Sequence, residues 1–147
     1  ARGAARVYAV DVGHGQLHAR LRSDPRVVLR EGVNARLLPR DVVPEPCALL
    51  VADVSFISLR LVLPAAAPLL APEADAVLLV KPQFESERGE VGRGGIVRDP
   101  EVRARALARV VAAAESVGLA PRGAVESPIT GADGNVEFLA AFRLGNP

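Results

Sequence analysis

The run Ala76-Val77-Leu78-Leu79-Val80 constrains the fold more than any other stretch of this 147-residue chain. Five apolar residues follow one another without polar alternation, as in a strand of a parallel sheet covered on both faces. The run ends on Lys81, followed by Pro82-Gln83-Phe84-Glu85. Lys81 is the single lysine of a chain whose combined Lys and Arg count is 18. Arginine is effectively always protonated, whereas lysine loses its proton readily when desolvated. A lone ammonium at the end of a buried strand is therefore the first candidate for chemistry. The bland alternative is one lysine left by chance in an arginine-using chain.

The rest of the chain supplies neighbours for that strand. Apolar runs predict strands at residues 7–10, 26–30, 48–52 and 76–80, a weak one at 121–126 and a last one at 136–144. Helices are expected at 16–22, where Leu17 and Leu21 lie four apart, and at 58–70, capped by Ser58 and made irregular by Pro64 and Pro68. A helical turn is expected near 35–38. A long helix begins at the Asp99 cap with Pro100 in its first position, shows the 3.6 period at Val102, Ala106, Val110 and Val117, and stops at Gly118. Residues 83–98 read as a loop rich in glycine and in both charges, long enough to expect a function. Strands alternating with helices predict one α/β domain around a mostly parallel sheet with covered faces. The last two strands have no helix between them and are expected to pair as an antiparallel hairpin at one edge.

Composition excludes several classes. Hydrophobic residues make up 50% and aromatics 3%, so the core must be built from Ala, Val and Leu. A net charge of +1 neither requires nor excludes a nucleic-acid partner. One cysteine, Cys47, rules out an intrachain disulfide and a multi-cysteine metal site, and it reads as a small hydrophobe. No apolar run approaches the ~18 residues of a membrane span, and no signal peptide is visible, so a cytoplasmic location is expected. The segment Ala1-Arg2-Gly3 reads as the end of a helix stopped by glycine, which predicts an internal piece of a longer protein.

Ligands of open parallel sheets bind beyond the carboxyl ends of the strands. Asp11, Asn34, Asp53 and Lys81 each fall at or just after such an end. A carboxylate at Asp11 suits both hydroxyls of a ribose, with an N-cap for the next helix as the alternative. His14 and His18 have the spacing of two ligands on one helix turn, but no third ligand is near and no metal site is expected. Asp53 and Lys81 end consecutive strands, which are expected to be neighbours. Glu137 starts the last strand. If that strand is antiparallel, its start reaches the same rim, which allows an Asp-Lys-Glu cluster or, equally, a structural ion pair.

Five segments, in order and spacing, carry a resemblance. They are residues 7–17 (Val-Tyr-Ala-Val-Asp-Val-Gly-His-Gly-Gln-Leu), 51–59 (Val-Ala-Asp-Val-Ser-Phe-Ile-Ser-Leu), 79–85 (Leu-Val-Lys-Pro-Gln-Phe-Glu), 91–99 (Val-Gly-Arg-Gly-Gly-Ile-Val-Arg-Asp) and 134–138 (Gly-Asn-Val-Glu-Phe). Together they resemble the TlyA family, also called hemolysin A proteins, which is similar to the FtsJ-like ribosomal RNA 2′-O-methyltransferases. The resemblance implies a class I methyltransferase (Rossmann-like) fold, S-adenosylmethionine as cofactor, and ribosomal RNA or a ribosomal subunit as partner. By its Lys-Asp-Lys-Glu pattern, Asp53, Lys81 and Glu137 are the implied catalytic residues. Asp11, Asn34 and Asp53 are the implied cofactor contacts, while Ser55, Phe56, Arg88, Arg93 and Arg98 would face RNA. The family's first strand, its glycine-rich cofactor loop, its first catalytic lysine and its small S4-type domain have no counterpart in residues 1–147. A partial methyltransferase domain is therefore expected, inactive and poor at binding cofactor by itself. The rival readings are an RNA-binding module that keeps the fold without catalysis, a membrane-active hemolysin-type protein, and a nicotinamide-dependent Rossmann enzyme. The Ala and Val face of the helix after Asp99 lacks aromatic anchors and argues against the second.

Overall fold

The strand Leu70–Val80, with one face buried from Ala74 to Val80, has a ladder partner on both edges. The computed structural model describes residues 2–131 and 133–145. Ala1 and Ala132, which the sequence assigns to a helix end and a turn, lie outside them. The elements are β1 (Val7–Val10), α1 (Ala19–Arg22), β2 (Val27–Arg30), a 3-10 turn (Ala35–Leu37), β3 (Cys47–Ala52), α2 (Leu59–Ala66), a second 3-10 turn (Ala67–Leu69), β4 (Leu70–Val80), α3 (Pro82–Glu85), a third 3-10 turn (Arg93–Gly95), α4 (Pro100–Ser116), β5 (Leu119–Glu126) and β6 (Phe138–Leu144).

Two sheets form. One is the parallel pair β1–β2, in register from Val7 opposite Val27 to Val10 opposite Arg30. The other has the order β3-β4-β6-β5. β3 and β4 are parallel, with Ala52 opposite Leu78, and β4 and β6 are antiparallel, with Val80 opposite Phe138. The β5–β6 hairpin lies at the edge, as expected. The sheet is mixed rather than mostly parallel. The reason is that β6 returns from the hairpin against β4 and so makes an antiparallel ladder on each of its edges. β1 and β2 join the rest through side chains: Arg6 Nη1 and Tyr8 Oη both donate to Glu45 Oε1, at 2.6 and 2.8 Å.

β4 begins well before the predicted residue 76. Cys47 pairs with Leu70 and Leu49 with Asp75, so residues 71–74 bulge out of the ladder. Glu73 there takes a left-handed φ of 59°. Pro72, Glu73 and Asp75 look like loop in the sequence, and the bulge is what lets a strand hold them. The helix expected over 58–70 is α2 followed by a 3-10 turn. Ser58 caps it as anticipated, accepting from Arg60 N at 3.1 Å. Asp99 caps α4, accepting from Glu101 N at 2.8 Å.

Ala74, Ala76, Leu78 and Val80 share one face of β4 and are buried, as the strand period of two requires. Ala140 and Phe142 of β6 and Leu119 of β5 extend that face. α2 and α4 cover it. Leu59, Val62, Leu63 and Ala66 come from the first, Val102, Ala106, Val110 and Ala114 from the second. The opposite face is bare, contrary to the expectation of two covered faces. Val51 is 68% exposed and Val125 63%, with Leu49 and Leu139 also exposed. Both helices that cross this sheet pack on the same side, so no described element remains for the other. Phe142 is the largest fully buried side chain. Phe142→Ala is expected to lower unfolding free energy by about 3–5 kcal/mol in urea titrations, with little change at the far β1–β2 pair.

Candidate functional site

The carboxyl ends of β3 and β4 bring Asp53 and Lys81 together. Parallel pairing of these strands carries both chains off the sheet on the same rim. Lys81 Nζ lies 2.7 Å from Asp53 Oδ1 and donates to Ser55 Oγ at 3.0 Å. The lysine side chain is 13% exposed and that of Asp53 65%. The ammonium is thus set inward and its carboxylate partner faces solvent, a pair open to a substrate from one side.

Glu137 reaches the same rim by the antiparallel register, one residue before Phe138, which pairs with Val80. It is buried, and it accepts from Gln83 Nε2 at 3.1 Å. No ion pair joins it to Lys81 among the described residues; Gln83 is what it holds. The carboxylate also fills the space above Gly131, where a Cβ would stand 2.6 Å from Oε1. Gln83 Oε1 is buried without a hydrogen-bond partner.

The segment 83–98 is ordered, with α3 and a 3-10 turn inside it, where a loop is expected. Three polar side chains account for this. Glu85, 1% exposed, accepts from Ser58 Oγ at 2.5 Å and from Leu59 N at 2.7 Å. Burial pushes its carboxyl above the usual range, against the pull of those two donors. Glu90 Oε2 accepts from Arg109 Nη1 at 2.9 Å and Oε1 from Arg105 Nη2 at 3.0 Å, which ties the segment to α4. Asn135, buried, accepts from Val97 N and donates to Gly95 O, both at 2.9 Å. The sequence reading missed Gln83, Glu85 and Asn135. A carboxylate four residues past Lys81, next to a buried strand end, was the available signal for Glu85.

The implied RNA-facing residues are exposed. Phe56 is 92% exposed and holds a φ of 63°, a left-handed conformation rare for an aromatic residue. Its ring lies 5.2 Å from that of Phe84, tilted by 52°. Arg88, Arg93 and Arg98 point to solvent and form no ion pair among the described residues. Ser55, by contrast, is engaged by Lys81.

Asp11 and Asn34 sit together on the other sheet, after β1 and β2. Val33 N donates to Asp11 O at 3.1 Å and so joins the two loops. Asp11 Oδ1 accepts from Gly13 N at 2.8 Å; α1 is capped instead by His18, so Asp11 is not its N-cap. Asn34 Oδ1 accepts from Arg36 N at 3.0 Å and caps the following 3-10 turn. No hydrogen bond or ion pair links this pair to Asp53 and Lys81 among the described residues. Among the described residues no helix is long and apolar enough to cross a membrane.

Comparison with known proteins gives one family. Residues 1–144 match the model described as FtsJ-like methyltransferase. The Mycobacterium tuberculosis 16S/23S rRNA (cytidine-2′-O)-methyltransferase TlyA is 49% identical over 142 residues, 97% of this chain and 53% of that protein. The chain spans about half the length of the curated relatives it matches. A solved Streptococcus thermophilus protein, named as a candidate hemolysin, superimposes with a TM-score of 0.91 at 44% identity, covering 97% of this chain and 52% of that one. The Bradyrhizobium japonicum N-methyltransferase NodS, solved with S-adenosyl-L-homocysteine, shares the fold, with a TM-score of 0.54 at 18% identity over 87% of this chain and 58% of that one.

The ties around Glu90 set a pH dependence. Hydrogen bonds from Arg109 first, then from Glu87 N and Arg105, lower its pKa from the ordinary 4.5 to about 2. The unfolded chain therefore binds more protons in that window, and the stabilisation, complete above 4.5, is lost as pH falls to about 2. Glu85 acts with opposite sign above its ordinary range, because its folded pKa is raised. Glu90→Gln is expected to flatten the pH dependence of urea stability between 4.5 and about 2 relative to the unsubstituted chain.

Proposed function

The chain belongs to the FtsJ-like methyltransferase family, and on that premise we propose that it carries the catalytic rim of an S-adenosylmethionine-dependent enzyme that methylates a ribose 2′-hydroxyl in ribosomal RNA. The observation that carries this reading is the Lys81–Asp53 contact of 2.7 Å at the ends of neighbouring parallel strands. Every other basic side chain that could have ended β4 in this chain is an arginine or a histidine, and neither has lysine's compact amine.

A sugar hydroxyl is a poor nucleophile until its proton has somewhere to go. The ammonium of Lys81 first gives up a proton to solvent, and the neutral amine then accepts the hydroxyl proton at Nζ. Asp53 and Ser55 hold Nζ in one place, and such fixed orientation lowers the entropic part of the barrier. Glu137 acts one step removed, by fixing Gln83 beside the lysine. Asp11 suits the cofactor: Oδ1 is engaged with Gly13, and Oδ2 has no partner among the described residues and is free for a ribose hydroxyl. Asn34 likewise keeps its amide hydrogens for an adenine edge while Oδ1 caps a turn. Asp53, exposed, adds a third cofactor contact. S-adenosylmethionine, when bound, supplies an electrophilic methyl group. Ser55, Phe56, Arg88, Arg93 and Arg98 face the RNA, with the exposed ring of Phe56 offering a surface on which a base can stack.

β1 and β3 each have a ladder partner on one edge only, so each leaves one edge unpaired. These features support a partial methyltransferase domain, in which a further strand with its glycine-rich loop completes the sheet. The 147 residues by themselves are then expected to bind cofactor poorly.

In the full-length protein, Lys81→Arg is expected to lower methyl transfer to ribosomal RNA by about 10²–10⁴-fold, measured with a radiolabelled methyl group, while the melting temperature holds. An unaffected rate removes Lys81 as the base. Asp11→Ala is expected to weaken S-adenosylmethionine binding by about tenfold or more in calorimetry, with the Lys81 surroundings intact.

A further inference from the structure

Two short segments face each other at the site, and polar contacts join them at both ends. One is 81–85: Lys81, then the single turn of α3, closed by Phe84 N to Lys81 O at 2.9 Å and Ser86 N to Pro82 O at 2.9 Å. The other is 53–59, from Asp53 to the first residue of α2. At one end Lys81 contacts Asp53 and Ser55. At the other Glu85 contacts Ser58 and Leu59. Between them the Phe84 and Phe56 rings meet. We propose that Glu85 is a positioning residue: its buried carboxylate locks the 53–59 segment against α3, and so holds Asp53 and Ser55 on the Lys81 amine and Phe56 in its left-handed, outward pose.

Capping of α2 alone does not explain Glu85. Ser58 already satisfies the local cap through Arg60 N. Glu85 reaches the same helix end from 26 residues away; among the described residues Arg60 Nε lies 3.6 Å from its carboxylate, and Arg109 Nη1 donates to its backbone carbonyl at 3.4 Å. A carboxylate nine-tenths or more buried is costly, and a left-handed aromatic residue is strained. Both persist because the contacts at the two ends over-determine the segment between them. The turn in α3 is short and begins with the buried Pro82, so a shift at Glu85 is passed to Lys81 rather than absorbed.

The methyl-transfer arm of the test rests on Lys81 being the base; the spectroscopic arm does not. In the full-length protein, the lysine amines are labelled by reductive 13C-methylation, and the Lys81 signal is assigned by its loss in Lys81→Arg. Glu85→Ala is expected to move or broaden that signal and to lower kcat by about 10- to 100-fold, with the KM for S-adenosylmethionine held within about twofold. Glu85→Gln keeps an acceptor for Leu59 and a donor for Ser58 and should restore most of both. Asp99→Ala removes the N-cap at the start of α4, where Asp99 accepts from Glu101 N and makes no hydrogen bond to segments 53–59 or 81–85, and should leave signal and kcat alone although it destabilises the fold. If Glu85→Ala does not fold, Glu85→Asp withdraws the carboxylate by one methylene and carries the same expectation. A Lys81 signal that stays in place overturns the proposal, as does a kcat loss matched by Asp99→Ala. A signal that moves in a protein devoid of methyl transfer leaves the tether standing and removes the base reading.

Discussion

The ladder between β4 and β6 is the constraint from which the rest of the site follows. β4 is paired with β3 on one edge and β6 on the other, and one of its faces is closed by α2 and α4. A strand held in that way has one register available, because a slip of one residue would turn Ala76, Leu78 and Val80 out of the core. Lys81 is the first residue past that fixed run. Its position is therefore set by apolar packing several residues away, and Asp53 meets it because β3 is parallel to β4 and leaves the sheet on the same rim. Glu137 arrives there from the opposite chain direction. Three strands thus deliver three polar residues to one place, and the core energy that fixes the strands also fixes the site.

What the sequence made legible was whatever depended on apolar period or on single-residue stop and start signals. The strand at Ala76–Val80, the caps at Ser58 and Asp99 and the antiparallel hairpin could be read because each is written in a local pattern. The bulge in β4 could not, since Pro72 and Glu73 favour a loop and are carried into the strand by pairing on either side of them, at Leu70 and Asp75. The same holds for the covered faces. An apolar run says that a strand is buried, not on how many sides, and here both helices lie on one side. Membership of the FtsJ-like family, by contrast, was visible in the linear order of five short segments.

The segment after Lys81 shows where local reading ends. Its glycines and mixed charges look like a mobile loop, yet Glu85, Glu90 and Asn135 each bind a backbone or side-chain group distant in sequence. Order of this kind is a property of pairs. Glu90 says nothing until Arg105 and Arg109 are one turn apart on α4 and facing it, and Asn135 nothing until Val97 and Gly95 are within reach. Glu137 belongs to the same class: the register brings it to the rim, but only the folded chain reveals that Gln83 is what it touches.

The uncovered side of the larger sheet carries a practical consequence. Val51, Leu49, Leu139 and Val125 form apolar rows across strands, and β3 leaves its outer backbone groups unpaired. Such a surface is a template for strand addition by any neighbour with matching pattern. At the concentrations used for crystals or spectroscopy, these 147 residues are expected to self-associate, with an apparent size that rises with concentration. Solvent composition will then govern their recovery more than the modest net charge does.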